Sequence, residues 1–465
     1  MNRRNLLKTL SITLGSTMIT TKVIGQIAED TFVIDDAPAK KYQPIKKAIT
    51  VITIGAGNRG TVYGTYAANN PSEMQIIGLA EPNKYRNDKY AAQHDIIAEN
   101  RFNTWEEVFE RPKFADAVII STPDNLHFKP CMKALEMGYD VLLEKPIAPT
   151  EKECRAILEM AKKTNRIVAV CHVLRYAPYF VKMKELIAKG AIGEVVSVQH
   201  FEPIEHLHMA HSYVRGNWHN AKTTTPIILA KSCHDLDIIR WVIDKPSERI
   251  VAMGSLKWFR SENAPKGSTD RCTDGCEVEK ECPYSAIRHY HDQRKRINYL
   301  DIPLNGISKE EQGKLILEKL KTTNYGRCVY KMDNDQPDHY VTSIQFADGV
   351  TASLSMEAFT SYAGRRTRIM GAMGDLVGDM NELIYTDFKT GKKTTFIPKA
   401  VDVEGYKNAG HGGGDMLMVK DFVQAVALQD PSKLSSDISV SIESHVMGFM
   451  AEKSRLNNKI VDIKL

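Results

Sequence analysis

Short apolar, β-branched runs alternate with longer amphipathic stretches over the first part of the chain. Residues 48–54 form one such run, and a helix-like segment follows to about residue 69. Residues 74–80, 117–120, 140–143 and 167–170 repeat the pattern, separated by helix-like stretches at about 84–94, 125–137 and 151–164. Runs this short and this apolar suit strands buried on both faces, and their alternation with helices predicts parallel βαβ units. An α/β domain over residues 48–172 is expected.

Beyond residue 172 the texture changes. Residues 195–201 are strand-like and 232–241 helix-like. Residues 340–346 and 350–359 flank Ala347-Asp348-Gly349, the turn chemistry of a β-hairpin. Strand-like pieces follow at 368–370 and 382–385, then helices at about 414–428 and 440–456. This predicts an α+β domain over residues 173–465 with a largely antiparallel sheet. A loop-rich insertion at about 257–335 interrupts it and holds four of the eight cysteines.

A chain of 465 residues is long enough for two domains. Its net charge of +5 is small against 62 basic and 57 acidic residues, and no basic stripe is interleaved with aromatics. Nucleic acid is therefore not an expected partner. No apolar run reaches the length of a membrane span. At the N-terminus, Arg3 and Arg4 precede Leu6-Leu7-Lys8 and a modestly apolar stretch. Residues 1–26 resemble a twin-arginine export signal, with a spacer at 27–47, so a periplasmic location is expected. No cysteine follows the apolar stretch, so no lipid anchor is expected.

Candidate chemistry begins at Gly55-x-Gly57-x-x-Gly60, directly between a strand and a helix. In that context the glycines permit a tight turn, close approach of a pyrophosphate and close helix–strand packing. Asn58 and Arg59 lie in the same loop, at a helix N-terminus suited to phosphate. Glu81 ends the second strand, where a carboxylate accepts from ribose hydroxyls and repels a 2′-phosphate. That favours NAD, although the nearby cations Arg59 and Lys84 leave NADP open.

Further motifs follow in order: Ser121-Thr122-Pro123-x-x-x-His127, Glu144-Lys145-Pro146, Arg175-Tyr176, Gly190-x-Ile192-Gly193-Glu194 and Cys233-His234-Asp235-x-Asp237. Together they resemble the glucose–fructose oxidoreductase / inositol dehydrogenase (Gfo/Idh/MocA) family over about residues 48–450. The resemblance implies a Rossmann domain followed by a domain with a large open sheet, which would serve homo-oligomerisation. It implies a carbohydrate substrate held against a nicotinamide between the domains. It adds Ser121, Thr122, Pro123, His127, Glu144 and Lys145 to the cofactor residues. Lys145 and His234 become the catalytic pair, the histidine as base and the lysine as a cation on the reacting oxygen.

One departure concerns inositol-dehydrogenase-like members, which carry an aspartate four residues before the histidine; here that position is Ala230, followed by Lys231. Arg175, Tyr176, His206, Tyr213, Trp218, Lys231 and His339 are the candidate substrate contacts. Cys272, Cys276, Cys282 and Cys328 are expected to form a structural cluster, either around zinc or as two disulfides. The expected reaction oxidises a ring hydroxyl, at C3 for instance, of a sugar or glycoside with a tightly held cofactor. The alternative is an NAD-dependent glycosidase working by transient oxidation and elimination, for which Tyr213, His206 or His339 would supply an extra base. A non-catalytic sugar sensor is disfavoured by the presence of both Lys145 and His234.

Overall fold

The apolar runs become strands because each has its side chains covered on both sides. A computed structural model of the chain describes residues 30–34, 42–399 and 410–465. Strand β1 (Asp30–Ile34) comes first; β2 (Ile49–Ile54), β3 (Met74–Ala80), β4 (Arg101–Phe102), β5 (Ala117–Ile120), β6 (Asp140–Leu143) and β7 (Val168–Val170) form a parallel sheet in the order β4-β3-β2-β5-β6-β7. Every residue of β5 and β6 is buried. Alternate residues face opposite layers. Ile52, Val118 and Val141 share a core with Cys131 and Leu135 of helix Phe128–Glu136 and Ile157 of helix Glu151–Thr164. Val51, Ile119 and Leu142 share the other core with Tyr63 and Tyr66 of helix Asn58–Asn69.

That second layer also contains Met418 and Phe422 of helix Gly414–Leu428, from far down the chain. The α/β domain is thus completed by a C-terminal helix. Chain order reverses between β2 and β5, which opens a crevice at the carboxyl ends of those strands.

The second sheet comprises β8 (Val195–Pro203), β9 (Ser247–Ser255), β10 (His339–Phe346), β11 (Thr351–Glu357), β12 (Arg366–Gly371), β13 (Gly374–Gly378), β14 (Leu383–Asp387), β15 (Lys393–Pro398) and β16 (Val461–Asp462). Its order is β1-β15-β14-β13-β12-β8-β11-β10-β9-β16. Pairing is antiparallel except at β1–β15 and β11–β8. Ile250, Ile344, Leu354 and Ile369 point to the covered face, where they share a core with Ile239 of helix Cys233–Ile243 and Met447 of helix Ile438–Asn457. Met253 and Val341, partners across β9 and β10, are exposed on the other face.

The export-like segment 1–26 lies outside the described residues. The stretch read as a spacer is not idle where it is described: β1 extends the large sheet, and Asp30 pairs with Lys392. Tyr42 Oη donates to Asp421 at 3.1 Å, and the Gln43 N–H donates to Gln424 at 3.0 Å. An added edge strand gains main-chain hydrogen bonds that periodicity in so short a piece does not reveal. No helix among the described residues is long and apolar enough to cross a membrane.

The insertion carries a small core of its own, with Tyr290, Leu300, Ile302, Ile316 and Leu320 buried together. The four cysteines sit in it as free thiols around a cavity of about 20 Å³. No group of three or more His, Cys, Asp or Glu among the described residues is arranged to hold a metal. Neither the expected zinc site nor the disulfides are formed. Cys272 Sγ instead takes the Ala286 N–H at 3.4 Å and lies 3.8 Å from Arg215 Nη2. Val278, Val329 and Tyr330 share the cavity wall.

Candidate active site and cofactor cleft

The glycine-rich loop has the geometry its spacing predicted. Gly55 has φ +93°, and a Cβ there would lie 2.8 Å from the Ser121 carbonyl oxygen. A Cβ on Gly60 would stand 2.1 Å from the Gly55 carbonyl oxygen, so the helix can start this close only with glycine. Gly57 is different: the nearest atom to its Cβ position is Arg86 Nη1 at 3.8 Å, leaving its backbone open to a ligand. Helix Asn58–Asn69 starts here with no side-chain cap, so its N-terminal amides lack a side-chain partner.

Around this loop lies a cleft of about 670 Å³. Gly55, Gly57, Asn58, Arg59, Glu81, Ser121, Thr122, Pro123, Glu144 and Lys145 all line it. Glu81 is buried and accepts the Ala56 N–H at 2.8 Å and the Asn83 N–H at 2.9 Å, so its carboxylate is fixed at the strand end. An uncapped helix start, an open glycine backbone and a fixed carboxylate suit the diphosphate and ribose of a dinucleotide.

Arg59 lines the cleft, but its guanidinium is committed to carboxylates. Nε donates to Glu144 at 2.6 Å, and Nη2 donates to Asp415 at 2.8 Å and Tyr63 Oη at 2.6 Å. Burial alone would raise the Glu144 pKa; Arg59 and Lys145 outweigh it and hold the group below the usual carboxylate range.

Lys145 Nζ, from the loop after β6, donates to the Ala230 carbonyl at 2.7 Å. That carbonyl lies just before the helix carrying His234. His234 is buried, its Nδ1 has no hydrogen-bond partner, and its ring lies 5.5 Å from His411 and 6.1 Å from His172. Burial, then the charges of Lys145 and His411, push its pKa well below the ordinary imidazole value, so it is neutral.

The chain matches the model of the oxidoreductase family with an NAD-binding Rossmann fold over residues 49–172, and that of the family's C-terminal alpha/beta domain over residues 184–461. It belongs to the Gfo/Idh/MocA family. It is similar to a Bacillus subtilis protein named as an oxidoreductase, YteT, with 27% identity over 66% of this chain and 71% of that protein. Inositol 2-dehydrogenase 4 of Saccharopolyspora erythraea is 25% identical over 48% of this chain and 62% of its own. The solved structure of levoglucosan dehydrogenase with NADH and levoglucosan has the same fold, with a TM-score of 0.64 at 18% identity over 90% of this chain and all of that one.

Within this Gfo/Idh/MocA chain, several residues expected at the site lie elsewhere. His127 is buried, one ring nitrogen 2.7 Å from the Pro146 carbonyl and the other 2.9 Å from that of Thr122. It ties two loops together behind the cleft lining. Arg175 binds Asp237 through two bonds at 2.7 and 2.6 Å, and Tyr176 Oη meets Ser436 at 2.9 Å; both are interior ties. Tyr213 is buried against Trp218. His206 Nδ1 lies 3.2 Å from the Thr360 carbonyl, and His339 Nδ1 lies 3.0 Å from Asp338; neither lines the cleft. Lys231 pairs with Glu202 at 2.9 Å inside a network in which Arg365 also binds Glu202 and Asp235. His127, Arg175, Tyr176 and Lys231 each took a buried partner, which satisfies them better than an open crevice would.

Of the expected substrate contacts, Trp218 lines the cleft, its Nε1 donating to Asp124 at 2.9 Å. His211, stacked on Tyr325 with centroids 5.0 Å apart, lines it too. The sequence did not mark Asp124, Asp301 or Tyr325. Asp124 occupies an unmarked position of the Ser121–His127 motif, and Asp301 and Tyr325 reach the wall from the insertion through tertiary packing.

Proposed function

We propose that this protein is an NAD-dependent dehydrogenase acting on a ring hydroxyl, C3 for instance, of a sugar or glycoside. One observation carries the reading: a lysine ammonium in the cleft wall is tethered to the chain segment that leads into a buried, neutral histidine with a free ring nitrogen. The relatives named as inositol 2-dehydrogenase and levoglucosan dehydrogenase act on polyhydroxylated rings, which supports a carbohydrate substrate.

When bound, the nicotinamide supplies the hydride acceptor. Lys145 would exchange its bond to the Ala230 carbonyl for one to the substrate hydroxyl, favouring alkoxide character as the C–H bond breaks. His234, neutral through burial, would take the hydroxyl proton. His234 does not itself line the cleft, whereas Lys145, bonded to the segment that leads into it, does. Trp218 offers an aromatic face for a sugar ring.

The glycosidase alternative needs a further base. Like His234, none of the three residues expected to supply it lines the cleft, and none of them stands on a segment tied to Lys145 as that of His234 does. Export by the twin-arginine-like segment and self-association through the exposed sheet face, where Met253 and Val341 stand out, complete the proposal.

The test is native mass spectrometry of purified protein, followed by a panel of sugars and glycosides monitored near 340 nm. A co-purifying or added NAD reduced by one group of ring alcohols is expected. Release of free sugar without net reduction would favour elimination. Failure of every carbohydrate, with reduction by a non-carbohydrate alcohol, would overturn the substrate class.

A further inference from the structure

The insertion reaches over the Rossmann domain at the end of the cleft that Glu81 marks. Arg86 Nε donates to Asp301 Oδ1 at 2.9 Å and Nη2 donates to Oδ2 at 2.8 Å, a bidentate pair. Asn83 Nδ2 adds a bond to Asp301 at 3.3 Å, and Tyr85 Oη donates to the Ile302 carbonyl at 3.1 Å. Asp301 is held from behind: its neighbours Leu300 and Ile302 are only 2% and 3% exposed, both in the insertion's own core. Its backbone is left-handed, φ +50°, which aspartate tolerates better than most residues.

Arg86 is the cation of interest. Its Nη1 lies 3.8 Å from the Cβ position of Gly57, the glycine whose backbone faces the ligand, and both Arg86 and Glu81 line the cleft. A guanidinium at this place beside the ribose-binding carboxylate is the group that accommodates a 2′-phosphate in a Rossmann site. Here Asp301 takes one edge of the guanidinium, Nε and Nη2, and offsets its charge, while Nη1 is the atom nearest Gly57. Of the other cations nearby, Lys84 is exposed and pairs with Asp88 at 2.7 Å, Arg59 is bound to Glu144 and Asp415, and Lys319 of the insertion also lines the cleft.

We propose that Asp301 is a cofactor-specificity residue: by neutralising Arg86 and holding its Nε–Nη2 edge it weakens the cation that would bind a 2′-phosphate, and its own charge repels one, so the cleft selects NAD over NADP. The proposal rests on the reading of the cleft as a dinucleotide site and deepens it. It assigns the insertion a role at the adenosine end, where the sequence alone suggested a structural cysteine module.

Titration calorimetry of dinucleotide-free protein with NAD+ and with NADP+ tests it, independently of any substrate. Asp301→Asn is expected to shift the affinity ratio toward NADP+ by about tenfold or more, the scale of a freed charge-assisted contact. Adding Arg86→Ala should abolish the shift. Asp301→Glu should keep the wild-type preference, and Asp301→Ser serves where the asparagine variant fails to fold, as judged by circular dichroism. A ratio within about twofold of wild type in the folded Asp301 variants, or a gain that survives removal of Arg86, would overturn the proposal. Wild-type protein that binds neither dinucleotide would overturn the cofactor reading instead.

Discussion

Arg59, in the glycine-rich loop, and Asp415, at the start of a helix 356 positions later in the chain, are joined by a 2.8 Å ion pair. The same guanidinium binds Glu144, so one side chain holds three parts of the molecule around the cleft. Asp415 is almost fully buried, and Arg59 holds its pKa well below the usual value despite the burial. Arg59→Ala would leave two buried carboxylates short of their cation. We expect a loss of about 3 to 5 kcal/mol of stability, read as a lower midpoint in thermal or urea denaturation, with Arg59→Lys intermediate.

Glycine positions 57 and 60 should separate binding from folding. Gly60→Ala forces a methyl into the Gly55 carbonyl and is expected to distort the loop and lower stability. Gly57→Ala finds open space and should fold normally, yet its methyl would occupy the approach of the diphosphate. A loss of NAD affinity of about tenfold or more with an unchanged melting temperature is expected. A Gly57→Ala protein that bound NAD normally would contradict the site assignment.

Lys145→Ala should lower kcat by about 100-fold or more while leaving NAD affinity within a few-fold. Its ammonium bonds the Ala230 carbonyl rather than a group shaping the diphosphate loop. Single-turnover reduction of bound NAD with the preferred sugar would measure it.

His234 should impose no acid limb near the ordinary histidine pKa, because burial and Lys145 keep it neutral. The pH profile of kcat/KM for oxidation should therefore stay level from pH 7 to about 6. His234→Gln should reduce kcat without restoring such a limb.

The buried imidazoles also set the response of stability to acid. His172, His234 and His445 have pKa values pushed down by burial above all, His445 to about 3. The unfolded chain therefore binds more protons than the folded one below about pH 6.5. Stability falls as pH drops through that value, by up to about 1.4 kcal/mol per pH unit per imidazole. Asp235 and Asp415 have lowered pKa values, so their contribution is lost only below about pH 4. Melting temperatures measured from pH 7.5 to 5 should decline, with His172→Gln shallower where it folds.

The short apolar runs determined the parallel sheet by themselves, because a strand buried on both faces leaves few other arrangements for its side chains. Gly55, Gly57 and Gly60 were equally legible, since their spacing between a strand and a helix marks the tight turn and the open helix start within a few residues of chain. The partners of His127, Arg175 and Lys231 were not. A polar side chain's role depends on which group meets it across the interior, and sequence spacing carries no record of that meeting. Only the tertiary structure placed helix Gly414–Leu428 on the Rossmann sheet and Asp301 on Arg86. Both contacts join segments hundreds of residues apart, where burial and charge pairing, rather than local periodicity, choose the neighbour.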